Sequence, residues 1–521
     1  MVKRSFVSGA LILAAAGLIV RILGFIYRIY LSNLIGAEGM GLFQLISPVY
    51  SLVILTLTSG ISIAVSRMVA GELAKGHYVN LRRITSCAAV MVVTAGIIVS
   101  LLMFLEIDFI TGVILKDKRT YYSMLLLLPS IPVIAAASAL KGYFYGIQDV
   151  TPTAFSQIAE QIVRIGIVML LAKFSLGLGL EYACALATVG MALGEISNLS
   201  VLFFIYKFKK VKMFKGITKS GFMRKREIVK NILKISVPVS SNRFIMSILS
   251  SVEFILIPRM LEASGLNYKE SIELYGRLTG MAAPLIYFPS IVTSSLAITL
   301  VPAISEAMSL KNYRSANYRI SKSMQITFIL GFIFSAIFMS YPNEIGNILY
   351  KKENIGWILH LYSFTCVFIY LQQTMLGILN GLGKQGISLR NSMVGYFIRI
   401  GFVCFCIPAY GIKGYIWGVI ISSACVCVLD LITITKVTGM YLDIRNWILK
   451  PGFIGAVLFI CSKYVYSFST IFSSDPKITI VLTIATNLLI AALMAAATGL
   501  LPREDIARLF DLKKYRNPLK I

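Results

Sequence analysis

The chain is short of acid, of histidine and of charge altogether. Its 521 residues include 23 Asp and Glu against 50 Lys and Arg, two histidines and three tryptophans, and only 14% are charged. His77 and His360 lie in different halves, so no histidine-based metal centre is expected. No Asp-x-x-Asp pair occurs, which removes a common means of holding magnesium on a diphosphate. Gly381, Gly383 and Lys384 lack the spacing and the following Ser or Thr of a phosphate loop, so ATP hydrolysis has no evident site. All eight cysteines fall in apolar stretches, and neither Cys404/Cys406 nor Cys425/Cys427 has a useful metal spacing on a helix; they read as small core residues. These absences make an enzyme, such as a membrane-embedded transferase, the lesser reading and transport the main one. No metal or cofactor is expected, and the sequence does not reveal whether an ion gradient or the membrane potential drives transport.

What is abundant is apolar surface. Hydrophobic residues make up 57% of the chain and the mean hydropathy is +0.80, which fits a polytopic membrane protein and no soluble class. The formal charge of +27 sits in short loops between apolar runs, as membrane topology demands, so no nucleic-acid partner is expected. Windows of about 20 apolar residues give fourteen spans: 6–34, 40–66, 86–109, 120–145, 153–172, 179–206, 231–258, 272–302, 320–341, 355–380, 388–409, 411–436, 451–470 and 477–500. Lys3 and Arg4 imitate a signal peptide, but the apolar run continues past Ala16 and through Arg21, too long for a cleaved segment. The expectation is a multi-pass protein of the cell membrane with both termini cytoplasmic, in contact with membrane lipids.

The stretch from Lys207 to Lys234 holds 11 Lys and Arg and divides the chain near its middle. Across it the sequence repeats at a constant offset of 235 residues: Gly142, Gly146, Arg164, Ile165, Gly166, Val168 and Glu195 return as Gly377, Gly381, Arg399, Ile400, Gly401, Val403 and Asp430. Two six-helix units follow. Six is even, so the copies share an orientation and a cavity is expected at their interface. The expected domains are 1–206, a basic cytoplasmic linker 207–230, 231–436, and 437–521 with two further spans and a basic cytoplasmic tail.

Charges inside spans need a reason, and the repeat sorts them. Arg164 and Arg399 are equivalents, as are Glu195 and Asp430, each acid on the helix after its arginine; two structural ion pairs are predicted, Arg164 with Glu195 and Arg399 with Asp430. Glu160, four residues before Arg164, is also placed to share that arginine. Arg21, Arg28, Arg243 and Arg277 have no equivalents, their counterparts being Leu256, Ala263, Ser8 and Leu42. Arg21 and Arg28 are seven residues apart, within about 20° of one helix face and about 10 Å apart along it. With Arg67 at an inner helix end and Glu253 as the remaining acid, these make a net-cationic candidate substrate site. A guanidinium fork fits phosphate oxygens. Pro48, Pro284 and Pro289 mark bend points, and Asn33, Gly36, Ala37 and Gly39 form an outer turn suited to a gate.

Val20, Arg21, Ile22, Leu23, Gly24 and Phe25, followed by Asn33, Leu34, Ile35 and Gly36, resemble the first helix of the MOP (multidrug/oligosaccharidyl-lipid/polysaccharide) exporter superfamily, in its branch of sporulation proteins and MurJ-like lipid II flippases. The resemblance covers the whole chain. It implies an all-α, MATE-like fold of two six-helix lobes with two C-terminal helices that form a groove for a lipid tail. It also implies a cationic cavity for the head group of a polyprenyl-diphosphate-linked saccharide lipid, and alternating access. Arg21 matches the first arginine of the flippase motif. Arg28 falls one residue past the second, where Tyr27 stands, and Ile29 replaces an acid that follows. Arg67 matches a cavity-mouth arginine, and Arg243 or Arg259 one on the seventh helix, with Arg243 preferred as the deeper. The activity implied is flipping of lipid II in peptidoglycan biosynthesis and sporulation, with cell-wall synthesis proteins as partners. A flippase for another polysaccharide unit or a teichoic acid precursor is the alternative, and a MATE-type drug antiporter a weaker one.

Overall fold

The computed structural model describes residues 6–175, 179–213, 223–351 and 353–500. Part of the expected linker, 214–222, and the expected tail, 501–521, lie outside the described residues. The described chain is helical, with twelve helices long and apolar enough to cross a membrane, or thirteen if the bent pair Lys118–Leu127 and Ser130–Gly146 counts as one. The expected first two spans form one helix, α1, Phe6–Ala74, of 69 residues. A straight helix of that length would run about 100 Å, about three times a hydrocarbon core. It is broken at Gly36, whose φ of 68° and ψ of −174° are non-helical and suit a residue without Cβ. Pro48, an expected bend point, lies inside helical backbone instead. Pro289 does mark a break, immediately before the helix Ser290–Ser309.

The chain divides into two compact units, residues 1–281 with 403–412, and residues 282–402 with 413–521. The first holds α1, α2 (Tyr78–Leu105), α3 (Tyr121–Leu127), α4 (Ser130–Gly146), α5 (Thr151–Ser175), α6 (Leu180–Met213), α7 (Lys225–Ala263) and α8 (Tyr268–Tyr275). Its boundary lies beyond the basic linker because α7 runs antiparallel along the second limb of α1. Ser240 Oγ donates to the Thr56 carbonyl at 2.7 Å and Ser251 Oγ to that of Pro48 at 3.0 Å. A Cβ on Gly60 would lie 2.3 Å from the Ser236 carbonyl oxygen, so glycine sets the approach of the two helices. The linker is held at Met223 too, whose N–H donates to Asn80 Oδ1 at 3.2 Å and whose carbonyl accepts from Arg83 at 3.0 Å.

The second unit contains α9 (Ser290–Ser309), α10 (Tyr313–Ser340), α11 (Pro342–Leu349), α12 (Gly356–Tyr362), α13 (Cys366–Gly381), α15 (Ile412–Thr438, from Lys413 on), α16 (Lys450–Phe472), α17 (Pro476–Ala497) and most of α14 (Gln385–Tyr410). The repeated glycines do the same work in each unit. A Cβ on Gly142 would lie 2.7 Å from the Ser62 carbonyl oxygen, and one on Gly377 2.6 Å from Ala297 Cα; on Gly146 it would meet Val69 at 2.7 Å, and on Gly381 Ile304 at 3.0 Å. Ser62 with Ala297 and Val69 with Ile304 are themselves 235 residues apart. Large apolar side chains cover the outer surfaces, Leu170 being 75% and Phe405 81% exposed, as a lipid solvent requires.

Candidate functional site

One group of charged residues in the first unit lies on α4, α5 and α6, within electrostatic reach of tyrosines on both limbs of α1. Arg21 is exposed and Arg28 half-buried on the first limb, with Tyr27 buried beside them. Tyr27 lies within electrostatic reach of Arg28, its neighbour in sequence, and of Arg164 on α5. Arg164 does not pair directly with Glu195 as the repeat predicted. It pairs with Glu160, one turn earlier on its own helix, at 2.5 Å, because an i,i+4 partner is already in place when α5 forms. Glu195 joins through Asn198, whose Nδ2 donates to Glu160 Oε2 at 2.8 Å and to Glu195 Oε2 at 3.3 Å.

Lys141 on α4 also acts on Glu195, and Tyr50 on α1 faces Glu195, Arg164 and Glu160 while its hydroxyl bonds Ser130 Oγ at 2.8 Å. Lys141, Asn198 and Tyr50 escaped the sequence reading, which named Tyr27 only as standing where the motif has an arginine. The signal for Lys141 was there, a lone cation within the apolar run 120–145. In the second unit the other predicted pair is also replaced: Asp430 accepts from Asn391 Nδ2 at 2.8 Å, and the Arg399 guanidinium lies 4.4 Å from the centre of the Tyr396 ring. The symmetric charges persist, while the groups that satisfy them differ.

Among the remaining candidates, Arg67 and Arg243 are exposed. Arg243 lies one turn beyond Ser240, the residue that meets Thr56. Arg277, just past α8, bonds Glu273 near the end of that helix at 3.4 Å. Glu253 is 2% exposed and within electrostatic reach of Tyr275, placing it in the packing between α7 and α8. Arg259 is committed to structure, donating to the carbonyls of Val113 at 3.0 Å and of Ile114.

Of the residues expected to form an outer turn, Asn33 lies on the first limb of α1, Gly36 makes the break, and Ala37 and Gly39 start the second limb, which packs tightly against α8. A Cβ on Gly41 would meet the Ile272 carbonyl oxygen at 2.2 Å, and one on Gly276 that of Ala37 at 2.0 Å. Ion pairs fasten this end: Arg119 bonds Glu38 at 2.6 Å and Asp117 at 2.8 Å, and the Tyr268 hydroxyl donates to Asp117 at 2.7 Å. Burial, and then the Asp117 carboxylate beside it, push the Tyr268 hydroxyl well above its ordinary range, so it remains a donor. Among the described residues no group of His, Cys, Asp and Glu is arranged to hold a metal ion.

The family of polysaccharide biosynthesis proteins matches residues 6–308. The chain belongs to that family. Stage V sporulation protein B of Bacillus subtilis (strain 168) is 29% identical to it over 511 residues, covering 98% of each chain. Lipid II flippase MurJ of the same organism is 25% identical over 415 residues, 75% of each chain. A solved structure of lipid II flippase MurJ in an inward closed conformation superposes with a TM-score of 0.71 at 15% identity, covering 94% of this chain and 99% of that one. The chain therefore has the fold of that MurJ structure, and one of these relatives is a lipid II flippase.

Proposed function

We propose that the chain is a flippase that carries an undecaprenyl-diphosphate-linked cell-wall precursor, lipid II for spore cortex peptidoglycan, from the inner to the outer leaflet by alternating access. Counting the two limbs of α1 as separate crossings and the bent pair as one gives fourteen, with both termini cytoplasmic and two parallel six-helix lobes, 1–206 and 231–436, followed by two added helices. The observation that carries the reading is the asymmetric arginine face of α1, Arg21 and Arg28, with Tyr27 next to Arg28 and within electrostatic reach of Arg164. A diphosphate cannot enter hydrocarbon bare. Fixed guanidinium donors in a hydrated cavity replace its water, while the prenyl tail stays in lipid. Arg243, Arg67, Arg277 and Glu253 complete the proposed substrate-binding set.

The test is rescue of a strain depleted of its lipid II flippase, scored by survival and by exposure of precursor on the outer leaflet. Arg21→Ala is expected to abolish rescue at normal protein levels, and Arg21→Lys to restore it only partly because the fork is lost. Full rescue by Arg21→Ala would sink the site assignment. Rescue of a strain lacking a polysaccharide-unit flippase but not of the lipid II strain would move the substrate to the alternative that the family description favours.

A further inference from the structure

We propose that Glu195, tied with Glu160 to the single side-chain amide of Asn198, is a proton-binding site linked to occupation of the neighbouring arginines by the anionic head group, an inference that rests on the flippase reading. Both acids lie within apolar crossings, Glu160 in Thr151–Ala172 and Glu195 in Leu180–Phe208. Their partners are unequal. Glu160 accepts from Arg164 at 2.5 Å and from Asn198 at 2.8 Å, whereas the hydrogen bond at Glu195 is the longer one, 3.3 Å, from that same amide nitrogen. Glu195 is the acid less committed to its ionised form.

A second observation points to the proton itself. Asn198 is fully buried, and its Oδ1 has no hydrogen-bond partner among the described residues. A buried amide with its donors spent on carboxylates and its acceptor orphaned lacks one donor. A protonated Glu195 supplies it: the acid O–H turns to Oδ1 while the Nδ2 hydrogen stays on the other carboxyl oxygen, the paired arrangement of an acid with an amide. The proton comes from water and returns to it, and no covalent bond of the chain changes.

The groups facing Glu195 fix the sign of the linkage. They are Glu160 and Arg164 from α5, Lys141 from α4, Asn198 from its own helix and Tyr50 from α1. Two cations stand against two acids. Neutralising one acid leaves a net positive charge within electrostatic reach of Tyr27, the neighbour of Arg28, and so strengthens binding of an anion there. Linkage is reciprocal: the anion raises proton affinity at Glu195 by the factor by which the proton raises anion affinity.

The experiment uses the full chain in detergent and a fluorescent, short-prenyl lipid II analogue, whose diphosphate diester does not itself titrate near neutrality. Binding is measured between about pH 5.5 and 8.5. The wild type is expected to bind on the order of tenfold more weakly at the alkaline end. Glu195→Gln should bind tightly at every pH, and Glu195→Asp should keep the slope. Calorimetry of the wild type in two buffers of different ionisation enthalpy should show net proton uptake on binding, a readout that needs no variant. A flat wild-type profile with no proton uptake overturns the linkage and leaves the flippase reading intact. So does a slope that persists in Glu195→Gln, or one that follows sodium at fixed pH. No binding at any pH sinks both.

Discussion

Glycine to alanine at Gly142 and Gly377, set against the same change at Gly166 and Gly401, tests whether the two units share a scaffold in energy as well as in sequence. All four positions are repeated across the 235-residue offset, but their surroundings divide them. At Gly142 the added methyl would lie 2.7 Å from the Ser62 carbonyl oxygen and 2.9 Å from Val65 Cβ, and at Gly377 2.6 Å from Ala297 Cα; Gly166 and Gly401 have nothing within 4 Å. The crowded pair offers backbone rather than a flexible side-chain tip, so the helices must part, at about 1–3 kcal/mol per site for overpacking. The open pair gains helix propensity, up to about 1 kcal/mol. The same substitution should thus act with opposite sign at the two kinds of site. Thermal unfolding of the purified full chain, followed by loss of the monodisperse peak after heating, should place Gly142→Ala and Gly377→Ala a few degrees below wild type. Gly166→Ala and Gly401→Ala should lie at or slightly above it. If either crowded variant matched wild type, or if Gly142 and Gly377 moved in opposite directions, the shared role would be refuted.

Two further outcomes follow from the buried polar contacts. Asn391→Leu removes the donor to the buried Asp430 and should cost about 1–3 kcal/mol or more; adding Asp430→Asn should recover part of it, read as a positive coupling in a double-mutant cycle of unfolding midpoints. Arg259→Ala strips the donor from the Val113 and Ile114 carbonyls and should lower the midpoint by a comparable amount, with binding of the lipid II analogue unchanged in the protein that survives.

Much of the architecture was legible because it follows from pattern. The apolar runs marked the crossings, and the offset between Gly142 and Gly377 pointed to a contact that recurs in space. Side-chain pairing was harder to read. The repeat placed Arg164 opposite Glu195, but the choice between that acid and Glu160 turns on which is within reach of one guanidinium, and proximity along a helix decided it. Asn198 entered unnoticed because an amide carries no charge to flag it. Gly36 was visible as part of a turn, yet only its φ distinguishes a break within continuous helix from a loop. Glu253 read as an acid left over for substrate, yet it is only 2% exposed, a burial that depends on packing between helices and that a single helix pattern does not reveal.

The antiparallel seat of α7 on α1 also bears on how the protein is made. Thr56 and Gly60 leave the ribosome long before Ser240 and Ser236, the residues they meet, and the Asp117 clasp waits for Tyr268. A nascent chain halted at residue 206 would present the glycine groove of its first helix to lipid with nothing to fill it. Maturation of the first half therefore depends on synthesis of the second. A gene cut at the basic linker would separate surfaces that belong together, whereas a cut near residue 281 would keep these contacts on one fragment.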